Sequence, residues 1–469
     1  MPSAHEPQAP LKNIRVLDLS RVFAMPFAGA ILADLGAEVI KIDTCQTQFM
    51  DTTRTITGPF PDNQPGEFWW EQGGTFQNLN RGKRSLTLDL RSEESQKIIK
   101  DLVRVCDVVL ENFTPRVMAR FGLDYESLMS HKPDLIMVSN TGYGHSGPWS
   151  NFGAMASALE PTHGTGAFMG YMAEGTDGRL TEGQVPNKMG NSYSDFLASW
   201  TALGGLMAAL LRRARTGQGQ WIDLAMYQTG TTVIGTGLLD YVFNDRRTLR
   251  IGNRHPVWSP HGVYPCQGND QWVAIAARNE SDWQTICQAM GNPELVSDSR
   301  FADPIDRRQH QEELDDIIGT WTSEQTSYQA MTSLQEAGAP AGAILTAKQA
   351  ITDPQYLDRG FFETVHNPPE VGLRSKGYVG RAWKFSNSET GIKGPAPRLG
   401  EANEYVLAEL LGIDQQSMER LAEDWIIGNL PEGGGAPGQV PLDEQAVLGW
   451  IAEFHADYLD KLPPVSPRN

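Results

Sequence analysis

Cysteine is scarce and scattered. Four occur in 469 residues, at Cys45, Cys106, Cys266 and Cys287, and none forms a CxxC pair. The chain therefore offers neither a zinc ribbon nor a disulfide framework, and a reducing, cytoplasmic setting is the simple expectation. The nine histidines show no HxxxH or HExxH spacing, so no metal constellation is expected. There is no GxSxG elbow and no Walker A loop. Basic residues are outnumbered: 39 Lys and Arg face 57 Asp and Glu, for a formal net charge of -18. That balance argues against nucleic acid or an anionic membrane as a main partner. The longest mostly apolar window, Ala202–Leu211, is too short to span a bilayer. Met1–Pro10 is polar and proline-rich, without the apolar core of a signal peptide.

What is present suits a loop-rich α/β enzyme of two or three domains, with 40% apolar residues, 47 Gly and 29 Pro. Ile14–Leu19 reads as a buried strand, Phe27–Leu35 as a helix closed by Gly36, and Ala37–Asp43 as a second strand. Such a unit implies a parallel pair with a right-handed crossover. Residues 45–78 read as a long surface loop. Strands over Arg84–Leu90, Asp107–Glu111 and Asp134–Asn140 alternate with helices over Glu93–Val105 and Pro115–Phe121. This alternation predicts a doubly wound, mostly parallel, Rossmann-like sheet.

Gly142-Tyr143-Gly144-His145-Ser146-Gly147 fits GxGxxG by letter, but Pro148 and Trp149 follow at once and no helix starts there to receive a pyrophosphate. Residues 153–190 read as a loop wall, and Ile222–Met226 as a strand. A hairpin around Gly268-Asn269-Asp270 joins Gly262–Pro265 to Gln271–Ala276. Helices follow over Glu280–Met290, His310–Trp321 and Ser327–Glu336, and Ala339–Ile344 reads as a strand. The expected division is a large domain over 1–239, a smaller α+β domain over 240–345, a return to the large domain over 346–430, and an extension over 431–469. Trp383–Ser386 reads as a strand, Glu404–Leu411 and Gln415–Asp424 as helices, and Pro431–Pro441 as a linker. Val447, Trp450, Ile451, Phe454 and Tyr458 form the stripe of a last amphipathic helix. His255, His261 and the acid pairs Glu312-Glu313 and Asp315-Asp316 read as solvated side chains.

The chain is organised around the stretch from Asn191 to Gln220. Phe196, Trp200, Leu203, Met207 and Leu210 recur at helical spacing, and Ser192 and Ser194 are cap-type residues before them. Arg212, Arg213 and Arg215 suit the negative end of the helix dipole, and Gly217 is a stop. Asp195 then falls in the first turn, where free N–H groups favour an anion. A poorly hydrated carboxylate there can act as a nucleophile. It can equally be a plain helix cap, and the segment alone leaves both readings open.

Several segments together resemble the class III CoA-transferases, the CaiB/BaiF family of formyl-CoA and carnitine CoA-transferase-like enzymes. They are Ile14–Val22 with Pro26–Gly29, Leu32–Ile42, Asn80-Arg81-Gly82-Lys83 through Leu90, Asp107–Phe113, Gly142–Gly144 before Gly147-Pro148, Thr216–Gln220, and Ala396–Glu401. Their order over Leu11–Gly412 is what makes the resemblance specific. Counting back from Thr216-Gly217, the family's nucleophilic aspartate falls on Asp195. The resemblance further implies coenzyme A contacts at Val22, Phe23 and Ala24, at Leu88, Asp89, Leu90 and Arg91, at Asn112 and Phe113, and at Arg120. Arg91 and Arg120 suit phosphate by charge and geometry. Thr44 stands where the family often has a basic residue. Ala154-Met155-Ala156 stands where racemases of this fold carry Gly-His-Asp.

The resemblance implies transfer of coenzyme A from an acyl-CoA to a small carboxylic acid through aspartyl anhydride and aspartyl-CoA thioester intermediates. It implies no metal and no tightly bound cofactor, coenzyme A being substrate, and an interlocked homodimer. Racemisation, CoA-dependent elimination and non-catalytic acyl-CoA binding are the alternatives. The tail beyond Leu430 extends past the family's usual end.

Overall fold

The apolar runs of the first half become the strands of one sheet. A computed structural model describes residues 8–55, 58–170, 187, 189–190, 192–246, 250–374 and 376–454. Its strands are β1 (Arg15–Asp18), β2 (Glu38–Asp43), β3 (Arg84–Thr87), β4 (Val108–Glu111), β5 (Ile136–Thr141) and β6 (Gln220–Ala225). They lie in the order β3-β2-β1-β4-β5-β6, every neighbouring pair parallel. This is the doubly wound order, and it reverses between β1 and β4. In sheets of this order ligands bind at the carboxyl ends of the strands where the order reverses.

Both faces are covered, so alternate residues of each strand enter different cores. Leu17, Ile40, Leu86, Val109 and Met137 face helix α2 (Glu93–Val103), which buries Ile98, Ile99 and Leu102. Val16, Val39, Val108, Ile136 and Val138 face helix α1 (Ala24–Asp34) and the long helix Tyr193–Thr216.

The chain divides into two compact units: 1–165 with 189–235 and 354–469, and 166–188 with 236–353. The second has an antiparallel sheet, β7 (His261–Pro265), β8 (Trp272–Ala276) and β9 (Ala341–Ala343), in that order. Its helices Glu280–Ala289, Gln311–Ser323 and Ser327–Ala337 bury Ile286, Leu314, Ile318 and Leu334 around Trp283 and Phe301. The expected mixed α/β class with a smaller α+β portion is thus what the chain forms.

Several local expectations differ from the structure. Residues 45–78 hold short helices, among them Thr52–Thr55, Trp69–Gln72 and Gly74–Asn80, rather than a surface loop. Arg54 anchors them from inside: fully buried, it pairs with Asp43 at 3.0 Å and Glu71 at 2.7 Å and lies 3.6 Å from the Phe76 ring centroid. Its polarity mimics a loop in sequence, yet the charge is paired in the core. Within 153–190, Ala156–Thr162 is a helix held by buried Leu159, while 171–186, 188 and 191 lie outside the described residues. Trp383–Ser386 is not a strand; Trp383 packs edge-on against Trp200, with centroids 5.0 Å apart. The strand pair Phe362–Val365 and Lys376–Val379 and the helix Gly235–Asn244 carry no legible signal in sequence. The last helix among the described residues is Leu442–Val447; Trp450, Ile451 and Phe454 lie beyond it, and Tyr458 is outside the described residues.

Candidate active site

The site is built at the reversal of strand order. After β1 the chain turns sharply at Val22, whose φ is 68°. That left-handed conformation is costly for a β-branched residue and marks a place where surrounding contacts override local preference. Those contacts are present. Arg21 N–H donates to Asn112 Oδ1 at 2.9 Å, and Asn112 Nδ2 donates to the Arg21 carbonyl at 2.7 Å. Val22 N–H donates to the Asp51 carboxylate, and Lys41, buried, bonds the Ser20 carbonyl and Asp51. Val22, Phe23, Ala24, Asn112 and Phe113 are therefore brought together where β1 and β4 part.

The stretch Asn80-Arg81-Gly82-Lys83 works from beneath. Lys83 Nζ donates to Asp18 at 2.7 Å, to the Pro26 carbonyl at 2.7 Å and to Asn80 Oδ1 at 2.9 Å, all buried. Burial pushes its pKa down to about 8, against the pull of Asp18. Arg81 pairs with buried Asp34 at 2.9 Å. A Cβ at Gly29 would stand 2.9 Å from Asp18 Oδ2 and 3.0 Å from Lys83 Nζ, so α1 can cross this pair only with glycine there.

Helices α3 (Ala156–Thr162), α4 (Tyr193–Thr216) and α5 (Met226–Thr231) complete the site. α4 has the length and apolar content to cross a bilayer, but it is a core helix: Ala198, Ala202, Leu206 and Ala209 are buried among sheet and α1 residues. Of the expected stripe, Leu203 is in the core, and Trp200, Met207 and Leu210 pack against it partly buried, with Phe196 against Phe27. Small residues occupy the contact itself, which lets α1 approach closely. Gly217, at φ 70°, ends the helix as expected.

Asp195 is in the first turn, its N–H donating to the Ser192 carbonyl at 3.0 Å. Ser192 precedes the helix in the left-handed region and makes no side-chain cap bond. The adjacent Phe196 ring packs edge-on to Phe27, with centroids 5.0 Å apart, and to Phe23 at 6.5 Å. Asp195 therefore stands beside the Phe23–Ala24 turn. Among the described residues its carboxylate has no hydrogen bond and no ion pair. Burial, with the charge of Glu160 adding to it, pushes its pKa up to about 7. Glu160, His163 and Asn140 are buried and have side-chain atoms without partners among the described residues; none stands out in the sequence. Each looks like an ordinary loop or strand residue, and only unsatisfied burial distinguishes it.

The remaining candidates divide. Leu88 and Leu90 are core residues. Arg91 is exposed, paired with Asp89 at 2.9 Å, hydrogen-bonded to Gln46 and set 4.1 Å from the Phe49 ring centroid. The Phe49 carbonyl also accepts from Arg21, whose guanidinium lies 5.8 Å from the Phe113 ring centroid. Arg21 thus joins Arg91 and exposed Arg120 as basic groups in this part of an acidic chain. Thr44 is buried. After Gly142–Gly147 no helix begins before Ala156, and His145 is bound to Asp223 at 3.1 Å. Among the described residues no group of three or more His, Cys, Asp or Glu could hold a metal ion.

A model of CoA-transferase family III matches residues 11–403. The succinyl-CoA--D-citramalate CoA-transferase of Chloroflexus aurantiacus is 33% identical over 430 residues, covering 91% of this chain and all of its own length. The succinate--glutarate CoA-transferase of Agrobacterium fabrum is 34% identical over 406 residues, covering 87% of this chain and 97% of its own. A crystal structure of a CaiB/BaiF family protein from Brucella suis matches with a TM-score of 0.73 and 31% identity, over 86% of this chain and 100% of that one.

Proposed function

Since the chain belongs to CoA-transferase family III and is an enzyme that transfers coenzyme A, we propose that Asp195 is its nucleophile and that donor and acceptor are dicarboxylic acids. The observation that carries this is the half-buried carboxylate of Asp195, without a partner among the described residues, beside the Phe23–Ala24 turn. The names of the relatives, with succinate, glutarate, citramalate, oxalate and mesaconate, support the substrate class.

A carboxylate oxygen of Asp195 attacks the thioester carbon, the C–S bond breaks, and the electron pair leaves with the thiolate, giving a mixed anhydride. The thiolate attacks the aspartyl carbonyl, and the donor acid departs as a carboxylate. The acceptor carboxylate then attacks the aspartyl-CoA, and the thiolate released attacks the new acyl group. Only an anhydride-forming nucleophile preserves the energy of the thioester through both exchanges. Water would hydrolyse each intermediate, so the aromatic packing of Phe23, Phe27 and Phe196 beside the carboxylate serves the chemistry as well as the fold. Coenzyme A lies along Val22–Ala24 and Asn112-Phe113, with Arg91 and Arg120 toward its phosphates.

Racemisation lacks a second base at Ala154-Met155-Ala156; deuterium entering the substrate α-carbon from heavy water would revive it. The enzyme acts as a homodimer, supported by the apolar side chains Leu238, Leu239, Tyr241, Val242 and Phe243 that helix Gly235–Asn244 leaves exposed. Light scattering reads the mass. The reaction is tested by a screen of acyl-CoA donors against dicarboxylic and monocarboxylic acids, read by mass spectrometry. Transfer confined to monocarboxylic acids would overturn the substrate class.

A further inference from the structure

Val22 is strained in a place where the fold gains little from it. Among the described residues seven non-glycine residues have positive φ, and Val22 is the only β-branched one; the others are Asp, Asn, Ser and Trp. A branched Cβ crowds the backbone in that region, so the conformation persists only where the surroundings impose it. Packing is not the cause. The Val22 side chain is 38% exposed and belongs to neither core of the sheet.

The restraint is polar and buried. Both Asp51 oxygens accept from the Val22 N–H, at 3.2 and 3.3 Å. Asp51 Oδ1 also accepts from the Thr53 N–H at 3.0 Å and from Thr53 Oγ1 at 2.7 Å. Lys41 Nζ, from β2, donates to Asp51 Oδ2 at 3.3 Å and to the Ser20 carbonyl at 2.9 Å. One ion pair therefore grips the chain on both sides of Arg21, and Asn112 bonds the Arg21 backbone between them. Lys41 and Asp51 are both buried. Such a pair adds little net stability, because desolvation offsets the attraction; what it can do is fix one arrangement against others.

We propose that Lys41 and Asp51 are positioning residues for coenzyme A, which hold Val22 in the left-handed turn whose exposed side chain the bound coenzyme covers. This rests on coenzyme A lying along Val22–Ala24. The turn is formed before the ligand arrives, so binding does not include the cost of forming it. Without the pair, Val22 relaxes to negative φ and the Phe23–Ala24 entry to α1 shifts with it.

The test measures Kd for free coenzyme A by titration calorimetry on the full-length protein, for Asp51→Ala and Asp51→Asn, each with and without Val22→Gly. Asp51→Ala is expected to weaken binding about tenfold by itself, but less than about twofold on top of Val22→Gly, because glycine adopts positive φ unaided. Asp51→Asn keeps an oxygen for the Val22 N–H and is expected to restore part of the loss. Equal weakening in both backgrounds, which a merely structural pair would give, overturns the proposal, as does no weakening at all. Should Asp51→Ala not fold, Val22→Gly decides by itself. It is expected to raise the melting temperature of the free protein and to shrink the further rise that saturating coenzyme A produces; a fall in the first or no change in the second overturns the proposal. Arg120→Ala separates the two claims. Weakened binding there with no effect at Asp51 sinks this proposal alone, whereas no effect at either position puts coenzyme A elsewhere and removes both.

Discussion

Ser199 Oγ donates a 2.5 Å hydrogen bond to the Ala24 carbonyl, 175 residues away in sequence, and lies 2.7 Å from the Asp195 carbonyl. One hydroxyl thus fastens the helix that carries Asp195 to the helix that begins at the reversal of the sheet. The bond is buried, so deleting it leaves a backbone carbonyl without its donor. Ser199→Ala is expected to cost about 1–2 kcal/mol in a urea melt and to lower kcat more than it raises KM for acyl-CoA, because the Asp195 turn loses its tether. A variant matching wild type in both would show that the bond positions nothing.

The Asp195 carboxyl has its pKa pushed up to about 7 from an ordinary 3.8, by burial first and then by Glu160. If its ionised form is the nucleophile, transfer should rise through pH 6–8 and fall on acidification below about 7. The stability sign runs the opposite way. An acid whose folded pKa is raised binds its proton more tightly when folded, so the fold loses stability as pH climbs from about 4 to about 7 and loses no more beyond. Asp195→Ala should remove this loss and reduce transfer on the order of a thousandfold or more. Initial rates and melting curves over the same pH series check both; a flat rate profile would remove Asp195 from the chemistry.

Lys83 and Asp18 are both fully buried and 2.7 Å apart. Lys83→Met leaves Asp18 without its counter-charge, and a loss of about 3–5 kcal/mol is expected. The double variant Lys83→Met, Asp18→Asn should recover part of that loss. Denaturant midpoints of the four proteins form the cycle; additive losses would mean that the pair does not act as one.

Arg91 already has partners in Asp89 and Gln46, whereas Arg120 is exposed with no side-chain partner among the described residues. If both face the phosphates of coenzyme A, Arg120→Ala should raise KM for acyl-CoA about tenfold, and Arg91→Ala less. Both effects should shrink at high salt, where exposed charges are screened. Unchanged KM at low salt for Arg120→Ala would place the phosphates elsewhere.

Much of the fold is legible in the chain itself. Strands of the sheet stand out by short apolar runs such as Val16-Leu17, Val39-Ile40 and Val108–Leu110, and Gly217 with the arginines before it places Asp195 in a first turn. The 45–78 region reads as a loop because Arg54, Glu71 and Gln77 look like surface residues until their partners are known. α3 is hidden because Pro161 and the small residues around it carry little periodicity. Glu160 has no distinguishing neighbour in sequence at all.

The sequence alone determined the alternation of strand and helix, the bounds of α4 and the family, since these rest on local repeats of two and 3.6 residues and on short motifs in order. The tertiary structure decided that Asn80–Lys83 turns inward to hold Asp18 and Asp34, that Val22 is forced into a left-handed turn, and that Glu160 is buried. The reason is physical. Local periodicity is written into successive side chains, whereas a contact between distant residues is set by the packing of whole elements, to which each residue adds too little to leave a local mark.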